Sequence, residues 1–234
     1  METSEIKRPL ALTELGQGTL RRLVRAWFQF ERRLAVVPIV RRLDLGTFTR
    51  EDYQRLLLNL RPQVVEGSRW ISRCASSFDR EHADIRSVVL CHAHDEHRDY
   101  EILETDYVAT GGNLKTIREQ PRNIGSEALN AFLMHRAGEP NPVGLLGAMW
   151  IIEGLGEKMA ANWADRVQEL TDVDSGCTRF LRYHGDNDDS HMDKLYGLID
   201  RVCINQGVAD DVVLTASVVG RLYAMQLEEI DVEP

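Results

Sequence analysis

Apolar residues recur along most of this chain at intervals of about three and four, the spacing that places them on one face of an α-helix. Leu20, Leu23, Trp27, Phe30 and Leu34 keep it between Leu12 and Val37, and Pro38 ends the run. Thr49 is placed to cap a second helix. Glu51 and Asp52 follow at the positive end of its dipole, and Tyr53, Leu56, Leu57 and Leu60 form its apolar face. Pro62 predicts a kink or a restart, with a continuation over Val64 to Ser77 that carries Glu66 and Trp70. Glu81 to Val108 reads as one long helix stopped by Gly111 and Gly112. Lys115 to Asn123 predicts a short element and loop, and Ser126 to His135 a further helix. Asn141 as N-cap and Pro142 in the first turn open a helix reaching about Leu170. Thr178 to Cys203 and Asp210 to Leu227 complete the set. No stretch alternates with a period of two, and no internal repeat is present. The expectation is one all-α domain over residues 1–234, a bundle of about seven helices with frayed tails at 1–11 and 228–234.

Polar residues break this pattern where they are most informative. His184, Asp188 and His191 fall at i, i+4 and i+7 of the Thr178 to Cys203 segment and share one helical face. A solvated helix explains the neighbouring Asp186, Asn187, Asp189 and Asp193 but gives no reason to align two imidazoles with a carboxylate. A transition metal such as iron gives one. Glu153 lies between Ile151, Ile152 and Leu155, where a carboxylate is costly to bury unless paired or metal-bound. The run Cys91 to Glu101 holds three of the chain's seven histidines. On a continuous helix His94, His97 and Glu101 share one stripe, while His92, Glu96 and Tyr100 form another. Glu66 is a fourth candidate, with a salt bridge to Arg69 as its competing role. Carboxylates and histidines on facing helices are the recipe for a di-iron centre. Trp70, Tyr100, Trp150 and Tyr183 lie near these positions and are candidates for the wall of a substrate cavity, against the plainer role of core packing.

Composition narrows the function classes. A formal charge of −9 argues against nucleic acid as the main partner. The arginines between Arg21 and Arg33 read as a solvated helix face. Hydrophobic residues at 43% and charged residues at 28% are an ordinary globular balance. No stretch approaches the ~18 apolar residues of a membrane span, and the first residues lack a leader's layout, so a cytoplasmic protein without a membrane partner is expected. Cys74, Cys91, Cys177 and Cys203 are scattered, which suits free thiols and argues against a thiolate zinc site.

The pattern resembles the haem-oxygenase-like di-iron oxidases and oxygenases, which share a seven-helix fold with haem oxygenase, the TenA thiaminases and the pyrroloquinoline-quinone synthesis oxidase. The resemblance rests on His184-x3-Asp188-x2-His191 with Glu153 about one helix earlier. It implies that His97 supplies the histidine of an earlier helix. The family's glutamate on that helix falls on His94 or Leu90 here, so His94, Glu101 or Glu66 would have to stand in for it. The implied cofactor is Fe(II), two ions with one held more loosely, and O2 is the co-substrate. The implied substrate is a small amine, an amino-acid derivative or a fatty-acid-like molecule, with an electron donor and a homodimer as further partners. Two other readings stay open: a TenA-like C–N hydrolase or cofactorless oxidase using a cysteine or an acid pair, and a non-catalytic helical protein.

Overall fold

The computed structural model describes residues 12–231, with the backbone but not the side chains of 186–191, 193 and 194. The described residues are helical and contain no strand. α1 (Glu14–Leu34) starts at Thr13, whose hydroxyl accepts the Gly16 N–H, and turns Leu23, Trp27, Phe30 and Leu34 inward as its spacing predicts. α2 (Pro38–Asp44) is short. α3 (Arg50–Ser76) opens on a full capping box between Thr49 and Asp52. Pro62 lies buried inside α3 and does not end it.

The predicted helix from Glu81 to Val108 is two helices, α4 (Ala83–Asp95) and α5 (Asp99–Ala109), joined by a turn at Glu96–Arg98. α6 (Leu114–Glu119) and α7 (Ile124–Ala137) follow. Asn141 is not the cap of the next helix. It sits at φ 49°, in the left-handed region that Asn tolerates, and its side chain exchanges hydrogen bonds with Asp79. The predicted run to Leu170 begins with a 3₁₀ turn, Val143–Leu145, then α8 (Leu146–Leu155), a π-helical turn over Gly156–Ala160, and α9 (Ala161–Thr171). α10 (Arg179–Val202) and α11 (Gln206–Glu228) close the bundle. Residues 229–231 continue as a 3₁₀ turn, and Asp231 is held by both terminal nitrogens of Arg42 at 2.9 Å, so this part of the tail is anchored.

α8 is the central helix: all its residues but Ile152 are buried. α11 packs beside it and also meets α1 and α7, while α3 packs on α4, α5 and α7. α10 covers the other side, against α8, α9 and the π turn. Small residues allow these approaches. A Cβ on Gly147 would overlap the carbonyl oxygen of Val212, and one on Gly154 would stand 3.2 Å from the Trp27 ring. One on Gly185 would stand 2.8 Å from the Ala161 Cβ. Leu23, Leu34, Tyr53 and Leu57 are fully enclosed, each burial contributing on the order of 1.5–3 kcal/mol.

Candidate metal centre

Four helices and the turn between two of them bring carboxylates and imidazoles together in the interior. Glu153, on α8, is 4% exposed, and His92 of α4 approaches it with Nε2 at 3.1 Å from Oε1. Glu96 stands at the turn after α4, and its carboxylate, His92 and Glu153 offer ligand atoms all within 4.8 Å of one another. Asp99, 5% exposed, opens α5 and faces His184 of α10, with Oδ2 at 3.6 Å from Nε2. Glu96, Asp99 and His184 form a second set within the same 4.8 Å limit. The two sets share Glu96.

The turn at Glu96–Arg98 produces this geometry. It interrupts the helical ladder after the His92 turn and restarts it at Asp99, an acidic first-turn residue that suits the positive end of α5. α10 is fixed against α5 in turn. Asp106 of α5 accepts the Phe180 N–H at 2.7 Å, capping the helix that carries His184. Burial pushes the Asp106 carboxyl up to about 6, against its hydrogen bonds from Phe180 and Arg179. Phe180 meets the His184 ring edge-on at 4.6 Å.

Beside the donors lies a cavity of about 90 Å³ between α3, α8 and α10, edged by Glu96, Glu153 and His184 and walled by Trp70, Trp163 and Phe180 among others. No Lys or Arg among the described residues lines it. His92 also borders a larger apolar recess of about 400 Å³ with Met149 and Leu198. Burial raises the Glu96 carboxyl to about 7, the Glu153 and Asp99 charges adding to the effect while His184 and His92 oppose it.

The donor chemistry fits a divalent transition metal. Two imidazoles and three carboxylates converge on buried ground, and a cation would relieve the repulsion that Glu96 feels. His92, Glu96 and Glu153 could hold one ion, and Glu96, Asp99 and His184 another.

Of the sequence candidates, Glu153 and His184 are in this cluster. Asp188 and His191 lie on α10, but their side chains are outside the described residues. The structure does not bring His94 and His97 to the cluster. Both are exposed and stack on each other at 5.3 Å, and the His97 Nδ1 lies 2.7 Å from the His94 carbonyl oxygen. Their stripe presumes an unbroken helix through Glu96–Arg98. Glu101 pairs with Arg98 at 2.7 Å, which holds its carboxyl low, and receives the Tyr100 hydroxyl at 3.5 Å. Glu66 pairs with Arg69 at 2.8 Å and Arg122 at 3.3 Å. Trp70 does line the cavity. Trp150 packs edge-on against Tyr196, Tyr183 is 38% exposed, and neither they nor Tyr100 reach the cavity wall. His92, Glu96 and Asp99 are the residues that sequence reasoning did not select as ligands. Their spacing, His92-x3-Glu96-x2-Asp99, repeats that of His184-x3-Asp188-x2-His191.

No protein-family model matches the sequence, and no curated protein matches it. Solved structures do resemble it. A domain of unknown function with a haem-oxygenase-like fold from Shewanella denitrificans OS217 superposes with a TM-score of 0.84 at 18% identity, over 90% of this chain and 91% of that one. A TenA homologue from Pseudomonas syringae pv. tomato DC3000 gives 0.77 at 10% identity, over 98% of each chain. One from P. horikoshii OT3 gives 0.71 at 15% identity, over 91% of this chain and 97% of that one. The chain therefore has the haem-oxygenase-like all-α fold. Within that class its solved neighbours include TenA homologues. No helix among the described residues is long and apolar enough to cross a membrane.

Proposed function

We propose that this protein is a non-haem, two-iron, O2-dependent oxidase or oxygenase acting on a small, largely apolar substrate of the amine, amino-acid-derived or fatty-acid-like type. The carrying observation is the pair of overlapping donor sets that share Glu96 beside an apolar cavity. Glu96, common to both sets, would be shared between the two ions, one held with His92 and Glu153 and the other with Asp99 and His184. Asp188 and His191 are further ligands on this reading. Bound iron would supply redox chemistry and the activation of O2. The chain's residues do the rest. Trp70, Trp163 and Phe180 exclude water and shape the substrate's seat. Asp106 sets the angle of α10 and so the direction of His184. Burial holds the Glu96 carboxyl up to about 7, so it would give up the proton on its carboxylate oxygen in order to hold an ion.

A metal-free second reading is favoured by the same pair of acids. Glu96 and Glu153 sit within 4.8 Å with Glu96 raised to about 7, an arrangement that suits general acid–base work in a TenA-like C–N hydrolase. Its thiol version has less support. Cys74, Cys177 and Cys203 are buried with raised thiols, Cys74 to about 12, and exposed Cys91 lies outside the cavity beside the acids. Anaerobic purification, addition of ferrous iron, metal analysis and exposure to O2 separate the two readings. Stoichiometric iron and a transient visible absorption are expected, and a chain that takes up no iron would end the first reading. A His191→Ala variant should lose at least one iron.

A further inference from the structure

The outer face of α1 carries Arg21, Arg25, Arg32 and Arg33, all exposed. None of the four has a carboxylate partner among the described residues, whereas neighbouring Arg22 pairs with Asp210 at 2.7 Å. Arg221 of α11 extends this face, bordering with Arg33 a groove of about 180 Å³ floored by Gly220. Large apolar side chains stand open among the guanidinium groups: Phe28 is 55% exposed, Val24 40% and Leu214, one turn before Ser217 in the groove, 61%. A merely solvated helix face accounts for the arginines but not for these. Arginine around an exposed aromatic anchor is the composition of a protein interface.

Charge selects the partner. The exposed arginines, which have no carboxylate partner among the described residues, attract an acidic protein surface at short range, where the net charge of −9 carried by the rest of the chain is screened. A nucleic acid backbone offers nothing to Phe28, whereas a protein surface can cover it. Position suggests the partner's task. Trp27, the residue before Phe28, lies against Gly154, which follows Glu153, so α1 is the one layer between this surface and the helix of the donor set.

We infer that the outer face of α1 docks an acidic one-electron carrier protein that supplies reducing electrons to the centre. This rests on the proposed oxygenase function. Hydroxylation of a C–H bond, R–H + O2 + 2 e⁻ + 2 H⁺ → R–OH + H2O, needs two electrons beyond those of the substrate. The sequence has no glycine-rich phosphate loop for a nicotinamide or flavin nucleotide. Two docking events, each oxidising the carrier by one electron as the centre gains it, close the balance.

The test uses the full chain loaded with ferrous iron, and two acidic probes, a plant-type [2Fe–2S] ferredoxin and a flavodoxin. Titration calorimetry at about 20 mM and about 200 mM salt should show binding of at least one carrier that fades with salt. Arg25→Glu combined with Arg32→Glu, and separately Phe28→Ser, should each weaken it by about tenfold or more. Arg201→Glu, which breaks a surface pair with Asp84, should leave it unchanged. Neither carrier binding, or binding that survives the double charge reversal, overturns the inference. A DNA duplex or phosphatidylserine vesicles binding through these arginines in place of both carriers overturns it too. The titration reads equally well on metal-free chain, so failure to take up iron would strike the oxygenase reading and not the docking surface.

Discussion

Replacing Glu153 by Gln should move stability in opposite directions with and without metal. Glutamine keeps the shape and a hydrogen bond to His92, whose Nε2 lies 3.1 Å from Oε1, but removes a charge. In metal-free protein that charge stands within 4.8 Å of Glu96. Two unit charges at that distance repel by about 3.5 kcal/mol at an effective dielectric of ~20. His92 and His184 offset part of this, leaving a stabilisation of about 1–3 kcal/mol for metal-free Glu153→Gln, or about 3–10 °C in Tm for a domain of this size. The gain depends on pH. Glu96 titrates above its ordinary range, so the folded protein favours its protonated form, and wild-type stability declines as pH rises through about 7. The variant's advantage should therefore be larger at pH ~8 than at pH ~6. With ferrous iron the order reverses. Iron at ~100 times its Kd stabilises wild type by about 2.7 kcal/mol, and the variant should lose most of that. Anaerobic thermal melts with chelator and with iron, at both pH values, measure all of this. A metal-free variant less stable than wild type, or an iron-induced shift equal in both proteins, would refute the charge argument.

Three further outcomes follow from the same geometry. His92→Ala and His184→Ala should each lower bound iron by metal analysis, while His94→Ala and His97→Ala should leave it at the wild-type level. Gly147→Ala forces a methyl group onto the Val212 carbonyl and should cost about 1–3 kcal/mol in urea unfolding, whereas Gly18→Ala, with open space around it, should stabilise α1 by up to about 1 kcal/mol. Asp106→Asn keeps an acceptor for the Phe180 N–H but removes a buried acid whose carboxyl is raised to about 6. Wild type should lose up to about 3 kcal/mol relative to this variant between pH ~4 and pH ~7, and a flat difference across that range would contradict the assignment.

The helices were legible because their apolar spacing is regular. α1, α7, α10 and α11 lie within a few residues of where periodicity puts them. What the sequence concealed were local backbone departures. Nothing in His94 to Asp99 announces a turn: no Gly or Pro falls there, and the run is rich in residues that a helix accepts. The break nonetheless decides which histidines face inward, and so His92, Glu96 and Asp99, not His94, His97 and Glu101, meet Glu153. The repeated x3, x2 spacing on two segments was visible, and on the proposed iron reading one ligand geometry would constrain both. Glu153 was legible for an energetic reason: a lone carboxylate among Ile151, Ile152 and Leu155 needs a purpose. Glu66 carried the same signal and turned out to be matched by Arg69 and Arg122, which the sequence alone does not distinguish.

The π turn after Glu153 makes this centre sensitive to chain length as well as to residue identity. Such a turn spends one residue more than an α-helix would over the same path. Deleting Lys158 would close it into regular helix, keep Trp163 in nearly the same phase beyond the turn, and redraw the cavity wall only where Gly156 and Ala160 line it. The cavity would change shape there with no side chain altered at the donors. In a lineage of such chains, single-residue insertions and deletions between Glu153 and Trp163 would be the changes that separate one cavity shape from another.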